Sequence, residues 1–246
     1  MTVPHALCQP SARFTLSSKM HKQRDVFVFI RDGALPTPLF RTLLRRVRSI
    51  GTKGLGHTYE VTFWFDLTQP SNVVEEAILA LRPLVPLPRS VVGVEWWLSR
   101  MRTSDVRVDF HRDRDEKLAR RTGLIIYPKV SSVLFLNRAK GGLLAVSGNR
   151  PNPRNPARAP SRVDFSLVRP HPNRLAFFDG NRTHGVLDDY NRLPRLRGRG
   201  GRLRLAVVVN WWHRRPLDIP LFSETSFYRS LMAPPRSADT SAPMHR

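Results

Sequence analysis

Val106-Arg107-Val108-Asp109-Phe110-His111-Arg112-Asp113 reads as a short strand, Val106–Phe110, that runs directly into a histidine and an aspartate two residues apart. On an extended chain, residues two apart point to the same side. His111 and Asp113 can therefore present an imidazole and a carboxylate to one metal ion. A third ligand has to arrive from a distant strand, and His184 is the candidate. It follows the apolar run Leu175–Phe178 and the turn Asp179-Gly180, and it opens the segment His184-Gly185-Val186-Leu187. Two histidines and one carboxylate on one face leave coordination positions open, the arrangement suited to non-heme iron(II) and oxygen chemistry. Taken alone, a His-x-Asp pair is weak: it occurs by chance, and a hydrogen-bonded core histidine is the ordinary alternative.

Outward from this stretch the chain divides into two patterns. From Val91 onward it reads as short strands: Val91–Ser99, Val106–Phe110, Gly123–Tyr127, Ser131–Leu136, Leu143–Val146, Val163–Val168, Leu175–Phe178, His184–Leu187 and Leu203–Trp212. Turn signals at Tyr127-Pro128, Lys140-Gly141-Gly142, Pro170 and Asp179-Gly180 punctuate them. Many short punctuated strands predict a sandwich or barrel. Before Val91 the reading is a strand at Asp25–Ile30, an amphipathic helix at Thr37–Ile50, an aromatic strand at Tyr59–Leu67 and a second helix at Val73–Arg82. Phe40, Leu43, Leu44 and Val47 share a face of the first helix. Ser71-Asn72 caps the second, and Glu75 and Glu76 lie in its first turn, as the helix dipole favours. Two stretches have no periodicity: the Pro/Asn/Arg segment Gly148–Pro160 and the arginine-glycine segment within Leu193–Arg204.

The chain has 246 residues, room for one sizeable core. Its net charge of +22 comes mostly from arginine, because only six of the 41 basic residues are lysines. That balance permits attraction to nucleic acid. The arginines are scattered rather than gathered on one stripe, so a compositional origin is favoured and nucleic acid is not the preferred partner. No apolar run approaches a membrane span, so no membrane partner is expected. Residues 1–24 read as a loose leader without a secretory apolar run. The single cysteine, Cys8, excludes an intramolecular disulfide; the expected location is the cytoplasm. The absence of P-loop, HExxH and GxSxG motifs argues against nucleotide hydrolysis, zinc-protease and serine-hydrolase chemistry.

Residues 91–212 resemble the core of the 2-oxoglutarate/Fe(II)-dependent oxygenase superfamily, in its prolyl-hydroxylase-like branch. The resemblance runs through Val108–Asp113, then Ser131–Asn137, then Gly141-Gly142 with Leu143–Val146. It continues through Leu175–Gly180 with His184-Gly185-Val186, and ends in Arg202–Trp211. It implies a β-rich α+β fold: a double-stranded β-helix (jelly-roll, cupin-like) core with N-terminal supporting helices. The expected organisation is a leader at 1–24, a supporting strand and helices at 25–90 and the core at 91–224. The C-terminal tail at 225–246 is expected to be disordered from about 233. The resemblance also implies the cofactors Fe(II), 2-oxoglutarate and O2, with His111, Asp113 and His184 as metal and catalytic residues. In that family a basic residue on the last core strand holds the far carboxylate of 2-oxoglutarate. Both Arg202 and Arg204 are placed for it, with shared parity. Arg204 is favoured, because it lies deeper in the apolar strand, where a cation without a partner is costly. Phe135 stands where related hydroxylases often carry a tyrosine.

The implied activity is a dioxygenase, a hydroxylase, that couples decarboxylation of 2-oxoglutarate to oxidation of an unknown substrate, whether a protein side chain or a small molecule. The competing readings are a basic nucleic-acid-binding protein and a cupin-like metal or ligand binder without oxygenase activity. Trp96, Trp97, Trp211 and Trp212 are expected to be packing residues, each pair with one ring inward and one outward. Glu95 is expected in a strand-edge salt bridge rather than in a site. Gly148–Pro160 is expected to act as a substrate-side flap.

Overall fold

The computed structural model describes residues 27–52, 61–104, 106, 110–148, 165–188 and 201–232. The leader, the greater part of the Gly148–Pro160 segment, the arginine-glycine run before Gly201 and the tail beyond residue 232 lie outside the described residues. Two antiparallel sheets form the body, and helices cover one of them: the fold is β-rich α+β.

The larger sheet has the order β1 (Phe29–Asp32), β7 (Arg174–Asp179), β4 (Val130–Phe135), β9 (Leu203–Trp212), β3 (Gly93–Arg102), β2 (Phe63–Phe65). β9 is its axis. It pairs along its length with β3, from Gly93↔Trp212 to Arg102↔Leu203, and on its other side with β4, from Val130↔Trp211 to Phe135↔Ala206. A strand with neighbours on both edges and cover on both faces has no solvent side. This explains why Leu203–Trp212 is a nearly unbroken apolar run. The smaller sheet has the order β6 (Phe165–Val168), β5 (Leu144–Ser147), β8 (His184–Val186), and His111 bridges onto β8 opposite His184.

Each face of the large sheet has its own core. On the outer face, Trp96, Leu98, Leu134, Leu175, Leu205, Val207, Val209 and Trp211 pack with α1 (Thr37–Ser49) and α2 (Val73–Leu81). α1 presents Leu43 and Val47, one turn apart, and leaves Arg41, Arg45 and Arg48 in solvent. α2 begins at Asn72, whose side-chain oxygen accepts from the backbone N–H of Val74 and Glu75 at 2.9 and 3.1 Å. It runs into a 3-10 turn at Arg82–Leu84. On the inner face, Val133, Phe135, Ala176, Phe178, Ala206 and Val208 meet Leu144, Val146 and Val168 of the small sheet. No helix among the described residues is long and apolar enough to cross a membrane.

Three sequence expectations need correction. Gly123–Tyr127 is not a strand. A helix, α3 (Glu116–Thr122), precedes it, and Leu124 and Ile125 are exposed. The helix signals are local: Asp115 accepts from the Leu118 N–H, Arg120 and Arg121 lie in the last turn, and Gly123 closes it at φ +73°. The strand expected over Asp25–Ile30 falls at Phe29–Asp32, with residues 25 and 26 outside the described set. Trp211 and Trp212 are both fully buried, because an adjacent layer covers each face of the sheet.

Candidate metal centre

The site begins as a backbone pairing. The His111 N–H donates to the His184 carbonyl and the His184 N–H to the His111 carbonyl, each at 2.9 Å. Directly opposed residues in such an antiparallel pair send their side chains to the same face. The two imidazoles accordingly lie with ring centroids 4.7 Å apart. The approach depends on Gly185: a Cβ there would stand 2.9 Å from the ring of Phe110, the residue before His111. Asp113, two residues beyond His111, returns to the same side. Its Oδ1 lies 3.2 Å from His111 Nε2 and its Oδ2 3.4 Å from His184 Nε2. One ligand atom from each of the three residues falls within 4.8 Å of the others.

His184 Nδ1 lies 3.0 Å from the Arg182 carbonyl oxygen. A carbonyl only accepts, so Nδ1 carries the proton and Nε2 presents a lone pair. That lone pair faces a carboxylate oxygen. Two acceptors aimed at each other require a cation between them or a second proton on the ring. Donor atoms about 90° apart around a metal at about 2.1 Å stand about 3 Å apart. The 3.2 and 3.4 Å separations suit that arrangement. Burial by itself would raise the pKa of Asp113. In the alternative with a second proton on the ring, the positive charge of His184, with that of His111, outweighs burial and holds the carboxyl well below the usual carboxylate range. Asp113 thus offers an anionic oxygen donor with only a tenth of its side chain exposed.

Arg204 is fully buried on the inner face of β9, the face that also carries Ala206, Val208 and Asn210. Its Nε donates to the Gly142 carbonyl at 3.0 Å and its Nη1 to Ser99 Oγ at 3.1 Å, while its guanidinium carbon lies 5.1 Å from the Phe135 ring centre. Gly142 permits this packing. It holds a left-handed φ of +64°, and a Cβ there would meet Arg204 Cδ at 2.9 Å. No carboxylate pairs with Arg204 among the described residues, and burial pulls its pKa down to about 10. A buried cation held only by neutral acceptors is a ready partner for an anion. Arg202, by contrast, is exposed at the start of the strand, where its backbone N–H donates to Thr103 Oγ1. The structure therefore separates the two arginines that sequence parity left together.

Sequence reasoning passed over three neighbours. Arg182 is buried; its Nη1 donates to the Ser147 and Gly148 carbonyls, and it packs over the Phe27 ring. It thereby braces the turn whose carbonyl orients His184. Ser131 Oγ lies 2.7 Å from Asn210 Oδ1 and 3.4 Å from Asp113 Oδ2, linking Asp113 to the large sheet. Nothing in the local sequence marks these residues, because each acts across strands that only the fold brings together. Glu95 was placed in an edge ion pair, and that placement is corrected. β3 has a neighbour on both sides, and no Lys or Arg pairs with Glu95 among the described residues.

No family model matches the chain, and no curated protein matches it. Among solved structures, it is similar to a prolyl-4-hydroxylase from Pseudomonas putida, at 19% identity over 76% of this chain and 88% of that one, with a TM-score of 0.43. It is also similar to a prolyl hydroxylase from Trichoplax adhaerens in complex with a hypoxia inducible factor peptide, at 13% identity over 77% and 84%, with a TM-score of 0.42. A prolyl 4-hydroxylase from Phytophthora capsici matches at 15% identity over 80% and 62%, with a TM-score of 0.44. At these values the likeness carries no argument about chemistry, which rests on the side chains themselves.

Proposed function

We propose that this chain is an Fe(II)- and 2-oxoglutarate-dependent oxygenase, a hydroxylase, in which His111, Asp113 and His184 hold the metal and Arg204 pairs the far carboxylate of 2-oxoglutarate. The observation that carries the proposal is the convergence of two imidazoles and a buried carboxylate, with the His184 lone pair aimed at Asp113. Two nitrogen donors and one anionic oxygen donor, set on one side, suit iron(II) with open positions better than a closed structural zinc site. The double-stranded β-helix belongs to the same proposal. In its support, successive segments alternate between the sheets. β3, β4, β7 and β9 lie in the large sheet, while His111, β5 with β6, and β8 lie in the small one.

When bound, iron(II) with 2-oxoglutarate and O2 supplies the oxidising chemistry: one oxygen atom enters succinate as carbon dioxide leaves, and the other enters the substrate. The chain's own residues position and shield. Arg182 and the 182 carbonyl fix the ring plane and tautomer of His184. Ser131 anchors Asp113. Ala206 and Val208, between Asn210 and Arg204 on β9, are apolar and would line the cosubstrate's path along this face. Arg204 supplies a fixed positive charge at its inner end, and its planar guanidinium suits bidentate pairing with a carboxylate.

The test is iron-dependent succinate formation by the full chain, with ligand and arginine variants. His111→Ala, Asp113→Ala and His184→Ala are each expected to lose iron(II) binding severely while keeping the native circular dichroism. A lost buried charge pair costs about 3–5 kcal/mol, so Arg204→Ala should raise the KM for 2-oxoglutarate more than roughly tenfold. Arg202→Ala should leave it nearly unchanged. Full turnover in His184→Ala would remove the metal assignment. Iron binding without any turnover of 2-oxoglutarate would favour a cupin-like binder instead.

A further inference from the structure

Glu95 lies on the inner face of the large sheet with no role in the chemistry above. Its cross-strand partner on β9 is Asn210, and Asn210 in turn is opposite Ser131 on β4. Glu95, Asn210 and Ser131 thus form one polar row across three adjacent strands, ending at Asp113 through Ser131 Oγ. The row next to it is apolar, with Trp97, Val208 and Val133, and the row beyond holds Ser99, Ala206 and Phe135. Neighbouring strands are about 4.8 Å apart, so Glu95 stands two strands, or about 10 Å, from Ser131. Arg204 lies on the same face of β9 but six residues from Asn210, at the other end of the strand. Glu95 therefore shares the metal's end of the interior and stands apart from the cosubstrate's anion site.

The carboxyl is buried with Thr62 and Trp212 beside it, while the residue as a whole is half-buried. Burial, with the charge of Asp113, pushes its pKa up to about 7. Such a group is costly to ionise where it sits, and a cation brought by a ligand removes that cost. The chain carries 41 basic residues, yet none serves this carboxylate among the described ones. The half-buried ring of Trp97, on the same face of β3, offers the apolar surface that suits the alkyl stem of an ammonium or guanidinium ion.

We propose that Glu95 is a specificity-determining residue that pairs with a cationic group of the substrate, a primary amine or guanidinium, and so directs the adjoining carbons toward the metal centre. This rests on the oxygenase reading, since it takes the metal's end of the interior as the substrate side.

The test uses n-butylammonium as the probe and n-butanol as its neutral counterpart. Binding to the full chain is followed by tryptophan fluorescence, because Trp97 and Trp212 adjoin the carboxyl. Butylammonium should bind at least tenfold more tightly than butanol, and Glu95→Gln should abolish that preference. Glu95→Asp should restore part of it, which also shows that the site survives substitution. Equal binding of butylammonium by the native chain and Glu95→Gln, or butanol binding as tightly as butylammonium, overturns the proposal. Iron-dependent succinate formation by the native chain is measured alongside. Its presence without selective cation binding overturns the Glu95 assignment alone. Its absence, with Glu95-dependent cation binding intact, overturns the oxygenase reading and leaves the cation site standing. Failure of both measurements overturns both.

Discussion

Arg204, as the proposed anchor for 2-oxoglutarate, would set function against stability at a single residue. Its guanidinium is fully buried with neutral acceptors only, and burial lowers its pKa to about 10. A base whose folded-state pKa is depressed carries its full penalty at neutral pH. It sheds that penalty only as the pH rises from about 10 toward the value of a free guanidinium. Replacing a buried charge with an apolar side chain of similar volume is often neutral, or stabilising by about 1–4 kcal/mol. Arg204→Met should therefore keep or raise the midpoint of urea unfolding at pH 7 while losing affinity for 2-oxoglutarate. A loss of stability on the order of 2 kcal/mol or more would make Arg204 a structural residue held by Gly142 and Ser99.

Among the elements, α2 has the firmest local specification, and its cap is testable. Asn72 is buried and accepts two N–H groups that the first turn would otherwise leave unpaired. Ser71, just before it, donates from both its backbone N–H and its hydroxyl to Glu75 Oε2, each at 2.7 Å. Asn72→Ala should cost about 1–2 kcal/mol in equilibrium unfolding, the upper part of the range for caps. Asn72→Ser should recover most of it, and an alanine variant as stable as the native chain would show that packing against Trp96 and Leu98 alone holds the helix. The contrast with α3 is instructive. Its cap, its basic last turn and its terminal glycine are all written in residues 115–123, yet the apolar Leu124, Ile125 and Ile126 that follow suggest a strand. In a seven-residue helix those short-range signals outweigh the apolar run, and Leu118 is its only buried residue.

At the scale of the whole molecule, the centre joins the two sheets. His111 and His184 belong to the small one, and Asp113 reaches the large one through Ser131. An ion that binds only the folded chain adds about 2.7 kcal/mol at 100 times its Kd. For a domain of this size that raises Tm by roughly 5–10 °C. Saturating iron(II), added without oxygen, should produce such a rise in the native chain and none in Asp113→Ala. An equal rise in both would place the bound ion elsewhere. The residue pattern alone determined the strand-rich second half, the helices of the first, and the identity of His111, Asp113 and His184 as candidates. Extended chain fixes the side on which residues two apart emerge, and caps and turns are short-range. The tertiary structure alone decided that both faces of β9 are covered, that Arg204, which its depth in the strand already favoured over Arg202, is fully buried, and that Glu95 stands inside rather than at an edge. These outcomes depend on which strands are neighbours and what covers them. No period within a strand encodes that, because it arises only when segments some hundred residues apart, such as Glu95 and Asn210, are paired.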